Sequence, residues 1–144
     1  MSFSLDIKKF AEKAIGDTED IINGTCLDLS RRVILRTPAD SGQARWNWQG
    51  SIGAPKVNEL KGSDKGGAKR IGQLVNVTDK ASGNVFFLTN NMPYINKLEF
   101  GGYPANSPTG KTSGGYSTQA PSGMVRITIR EFNQIVSDQA AKNK

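Results

Sequence analysis

From residue 4 to residue 36 the apolar side chains Ile7, Phe10, Ala11, Ala14, Ile15, Ile22, Cys26, Leu29 and Val33 recur at steps of three and four. A stripe with a 3.6-residue period is the mark of an amphipathic helix. A helix of that length must lay its stripe on something, and this restricts the fold more than any other feature of the chain. Gly16 and Gly24 weaken its middle, so a kink or short break is expected near Gly16-Asp17. Arg31, Arg32 and Arg36 fall in the last turns, where cations favour the C-terminal end of the helix dipole. Pro38 then stops the helix, because the residue before proline is pushed out of the α region.

The expected partner of that stripe is a small sheet. After the turn signal Asp40-Ser41-Gly42, Ala44, Trp46 and Trp48 alternate with Arg45, Asn47 and Gln49, which reads as a half-buried strand to about Ile52. Val85 to Thr89 reads as a second, buried strand. Ile71, Leu74, Val75 and Thr78 fit a short helix, while Val75 and Val77 also fit a strand. Val125, Ile129, Phe132 and Val136 give a C-terminal helical stripe, with Ser122 as its N-cap and a strand over 125–129 as the rival reading. Residues 53–70 and 101–120 are rich in Gly, Ser and Lys or Pro and read as two long, flexible loops. The chain is thus expected to be one α+β domain over residues 1–144. A long N-terminal helix and a C-terminal helix would pack on a small, mainly antiparallel sheet.

At 144 residues and 36% hydrophobic the chain buries one ordinary core. No run approaches the roughly 20 apolar residues needed to cross a bilayer. Ser2 to Asp6 lack the layout of a signal peptide, so the cytoplasm is the expected place of synthesis. Cys26 is the single cysteine, which excludes an intramolecular disulfide and speaks against a zinc cage. There is no histidine, so the usual general base and the commonest metal ligand are missing. The acidic residues are scattered without evident pairing, and the expectation is no enzyme, no metal and no cofactor. The net charge of +6 is carried by the middle of the chain: residues 31–70 hold nine basic and three acidic side chains. A basic segment of this kind suits contact with nucleic acid or with an acidic protein surface.

Each candidate motif has a plainer reading. Gly62 to Lys69 resembles a phosphate-binding loop only superficially. Ala68 separates the glycine pair Gly66-Gly67 from Lys69, no Ser or Thr follows, and no strand leads in. Trp46 and Trp48 would serve as stacking platforms for bases, or as bulk covering the helix stripe, which suits their size better. Glu99 lies between Leu98 and Phe100, where a carboxylate is partly desolvated and calls for a cationic partner. Arg36 and Arg45 are the expected partners, within the subunit or across an interface. Lys61, Lys65, Lys69 and Arg70 form either a solvated surface or a contact with a neighbouring subunit or with DNA.

Three stretches carry a resemblance. Val85-Phe86-Phe87-Leu88 runs into Asn90-Asn91-Met92-Pro93-Tyr94, a short turn and Leu98-Glu99-Phe100-Gly101. Before it stands Arg36-Thr37-Pro38-Ala39-Asp40-Ser41-Gly42 with Arg45 and Trp46, and after it Gln119-Ala120-Pro121-Ser122-Gly123-Met124-Val125. In this order they resemble the tail-completion (head-to-tail joining) proteins of long-tailed bacteriophages, and together they span most of the chain. The resemblance implies a structural virion protein, made in the host cytoplasm, that forms a ring at the phage neck or upper end of the tail. Six subunits are the implied number. Its partners would be itself, the connector or neck proteins, and the tail tube or tail terminator, with non-specific contact to packaged DNA in the channel and none to membrane. In that family the position of Tyr94 helps set the turn that delivers Leu98 to Gly101. The alternative from another class is a small basic nucleic-acid-binding module, resting on the basic segment and the two tryptophans.

Overall fold

The computed structural model describes residues 1–5, 18–105 and 107–142. Its elements are β1 (Ser2–Leu5), α1 (Thr18–Arg36), α2 (Gln43–Trp46), β2 (Gln49–Ile52), α3 (Ala68–Thr78), β3 (Phe86–Thr89), α4 (Ile95–Phe100), β4 (Thr112–Ser113), β5 (Tyr116–Ser117), α5 (Val125–Ile129) and α6 (Phe132–Lys142). The chain is α+β, as the patterning implies. Among the described residues no helix is long and apolar enough to cross a membrane.

Helix α1 buries Ile22, Cys26, Leu29 and Val33, the second half of the expected stripe. Glu19 and Asp20 stand in its first turn and Arg36 in its last, matching the dipole at both ends. Burial pushes the Cys26 thiol up to about 12, so it stays protonated and behaves as a small apolar side chain. The first half of the stripe, Ile7 to Ile15, lies outside the described residues. Residues 4 and 5 are not helical but belong to β1, where Phe3 and its neighbours pair along the middle strand.

Strand β3 is the centre of a three-stranded antiparallel sheet in the order β1-β3-β2. Thr89 is opposite both Ser2 and Gln49, and Phe86 opposite Leu5 and Ile52. Helix α1 packs against α3, α5 and α6, and α3 leans on β2. One core joins sheet and helices through Val33, Trp48, Leu74, Leu88, Ile95 and Met124.

Three expectations are corrected. Trp46 and Trp48 do not share a strand: Trp46 ends α2, and β2 begins at Gln49. Asn47 folds its amide back onto the carbonyl of Gln43, and Trp48 turns inward to donate to Thr37 Oγ1 at 2.8 Å. The single C-terminal helix is two helices, α5 and α6, meeting at Arg130-Glu131, and residues 125–129 are helical, not extended. Residues 101–120 contain the β4–β5 hairpin. Gly114 and Gly115 make its turn with φ of 61° and 89°, the left-handed pair that a two-residue hairpin loop demands.

Of the loop expected over residues 53–70, residues 68–70 open α3, and 53–67 lack regular structure but are gripped by side chains from elsewhere. Asn47 accepts from the Leu60 amide (2.6 Å) and donates to the Leu60 carbonyl (3.1 Å), acting as a substitute strand. Gln49 and Asn91 both donate to the Asn58 carbonyl, and Asn91 also to that of Lys56. The carboxylate of Asp64 accepts from the Gly67 and Arg70 amides and so caps α3. We therefore expect Asn47→Ala to speed amide exchange at Leu60 about tenfold or more, the equivalent of one lost hydrogen bond. A Leu60 amide that already exchanges freely in the wild-type chain contradicts this.

The joint between α1 and the C-terminal helices is ionic. Glu131 lies between Arg36 and Arg32, the latter at 2.8 Å. The hydrogen bond from Arg36, then both guanidinium charges, hold the Glu131 carboxyl below the usual carboxylate range. A carboxyl depressed in the folded state adds stability above its unfolded pKa and loses it as pH falls through the folded value. Wild-type chain should accordingly lose thermal stability between about pH 5 and pH 3 more steeply than Glu131→Gln. Parallel melting-temperature profiles for the two would contradict this.

Candidate interaction site where three motifs meet

The three stretches that carry the resemblance are far apart in sequence and converge in space. Asn90 is fully buried and donates to the carbonyl of Ala44 at 2.9 Å, while its own Oδ1 accepts from the Met92 amide. Gln119 accepts from the Ala39 amide and donates to Asp40 Oδ1, both at 2.8 Å. The third link is made by Glu99.

Glu99 is completely buried. Its carboxylate accepts from the backbone amides of Met124 (2.8 Å), Val125 (3.1 Å to either oxygen) and Arg126 (2.8 Å). These are the first donors of α5, which have no partner within their own helix. A carboxylate there is favoured by hydrogen bonding and by the helix dipole together. The N-cap role expected of Ser122 thus falls to a side chain 25 residues upstream. Gly123 makes room for it: a Cβ there would come within 2.4 Å of Glu99 Oε2, and its φ of 75° is one that other residues avoid.

The cation facing Glu99 is neither Arg36 nor Arg45. It is Arg126, whose Nε lies 3.5 Å from Oε1 and whose terminal nitrogen donates to the Glu99 carbonyl. Arg36 instead meets Glu131 and donates to Thr128 Oγ1 at 2.8 Å. Arg45 donates to the carbonyls of Thr37, Leu35 and Lys65 at 2.7–2.9 Å, closing the C-terminal end of α1. The backbone carbonyls that hold Arg45 carry no sequence signature, so its assignment was not legible from residue types.

The basic segment is split by the fold. Lys61, Lys65 and Lys69 are exposed, whereas Arg70 is buried. The Arg70 guanidinium carbon lies 3.9 Å from the Trp46 ring centre, with Lys69 Nζ at 5.2 Å. Burial lowers the Arg70 pKa, partly opposed by Asp64, and the indole face supplies the electrostatic partner. Trp46 Nε1 donates to the Lys61 carbonyl, fixing ring and loop together. Trp48 is fully buried and cannot stack on a base.

Where the motifs join they leave an open cavity of about 360 Å³, floored by Ala44, Tyr94 and Leu98 and rimmed by Asp40, Lys111 and Ser117. Burial, then the charges of Tyr103 and Glu59, raises the Tyr94 hydroxyl above the ordinary phenol value, so it remains protonated near neutral pH. Compared with known protein families, with curated proteins and with solved structures, the chain matches none.

Proposed function

We propose that this chain is a structural subunit of a bacteriophage virion, forming a ring at the neck or upper tail that completes the tail and joins it to the head connector. The observation that carries this reading is how the three motifs use their polar groups. Asn90, Gln119 and Glu99 direct bonds to backbone amides and carbonyls of one another's segments, and Arg45 closes its own stretch through the carbonyls of Leu35 and Thr37. Groups so committed hold loops in place, as a scaffold requires. What remains accessible is an apolar cavity and the exposed Lys61, Lys65 and Lys69, which suit acidic neighbours or the phosphates of passing DNA.

The test is a particle made without this chain. Full heads and finished tails that fail to unite are expected. Joined, infectious particles lacking the chain overturn the reading. The basic-module alternative loses one of its two tryptophans to the core. It would regain ground if monomeric protein bound oligonucleotides tightly, with affinity falling steeply as salt rises.

A further inference from the structure

Phe100 is the most exposed large apolar residue of the central motif, at 58%, although Leu98 and Glu99 beside it are buried. It is held rigidly. Glu99 fixes the end of α4 to α5, and the Arg126 guanidinium lies 4.7 Å from the Phe100 ring centre. Ile129, one turn along α5 from Arg126, is also exposed and widens the apolar patch. An aromatic ring, an arginine and an aliphatic neighbour on rigid backbone form the kind of surface that dominates interface energies.

On the other side of the same layer lies the cavity. Leu98 and Phe100 project roughly 160° apart around α4, with Leu98 in the cavity floor. The β4–β5 hairpin repeats this division. Ser117 and Thr112 face the cavity, while Tyr116, on the opposite face of the ribbon, meets Arg126. Knob and hole are therefore back to back, an arrangement that cannot close on a two-fold axis but propagates head to tail into a ring or filament.

Resting on the ring reading above, we infer that Phe100 of one subunit enters the Tyr94–Leu98–Tyr103 cavity of the next, with Arg126 brought opposite Asp40. The occupant is a second copy because size and charge both match. The volume of about 360 Å³ sits at the low end of the roughly 300–1,000 Å³ of small-ligand pockets, suiting one aromatic side chain among two tyrosines. Asp40 keeps 60% of its side chain exposed at the rim, and its bond to Lys111 is a long 4.0 Å, so a second cation is accommodated.

Sedimentation velocity of the full chain over a rising concentration series reads the contact. Wild-type protein should form species larger than a monomer. Phe100→Asp removes the knob and Ser41→Trp fills the cavity, and each should weaken self-association by about 30-fold or more. Mixing the two variants in equal amounts should restore a single heterodimer that grows no further, since each supplies one intact half. That restoration also shows that both variants are folded. Association of either variant at wild-type strength, or growth of the mixture beyond a dimer, overturns the contact. So does a wild-type chain that stays monomeric throughout. The ring reading falls separately, only if heads and tails join without the chain.

Discussion

Replacing Glu99 by glutamine is expected to lower stability by about 3 kcal/mol, although the two side chains have the same shape. The carboxylate offers acceptors alone, and the Met124, Val125 and Arg126 amides all point donors at it. A glutamine must turn its own NH2 toward at least one of those donors, leaving a buried amide without an acceptor. Glu99→Ala removes all of the bonds and opens a void as well, so it should cost at least as much. For a chain of this size the glutamine variant should melt about 10 °C lower. A shift below about 1 °C would mean that water or a rearranged α5 replaces the carboxylate. Arg126→Ala should do far less, because that cation is half exposed and solvent screens it.

Trp48→Ala is the second large effect, expected near 4 kcal/mol from lost burial and the cavity left behind. Trp48 has no exposed surface and lies between α1 and the sheet. Its Nε1 donates to Thr37 Oγ1, which in turn donates to the Val33 carbonyl, so the indole also secures the last turn of α1. Trp48→Phe keeps most of the bulk and still leaves Thr37 bonded to Val33. It should cost about 1.5 kcal/mol. Urea denaturation of both variants gives the comparison, and equal losses would show that the hydrogen bond, not the volume, holds this corner.

The parts of the fold that were legible in the sequence are those where a period and a burial face coincide. Ile22, Cys26, Leu29 and Val33 announced α1, and the run at Phe86 to Leu88 announced β3, because each buries one continuous face. Trp46 and Trp48 misled for the opposite reason. Two aromatic residues at a spacing of two imitate a strand face, yet one ends a helical turn and the other precedes a strand. The loop at residues 53–67 looked unconstrained because its anchors are the amide side chains of Asn47, Gln49 and Asn91, which lie outside it. Composition also suggested that Glu99 needs a charged partner. Arg126 is that partner, but three peptide amides share the task, and every residue type carries them. The grouping of Lys61, Lys65 and Lys69 was readable as charge, whereas the withdrawal of Arg70 onto Trp46 depends on a ring placed by α2.

The sheet order carries a consequence for how the chain reaches this state. The middle strand is the last of the three to be synthesised, and Ser2 pairs with Thr89, 87 positions further along the chain. Until Phe86 to Thr89 leave the ribosome, neither β1 nor β2 has its native neighbour, so no two-stranded precursor forms early. Such non-local pairing slows folding, because loop closure must precede any gain from the contacts. During that interval two strand edges and the aromatic residues beside them lie open to other nascent chains. Yield in a foreign host should therefore depend on temperature and synthesis rate more than on the final stability of the protein.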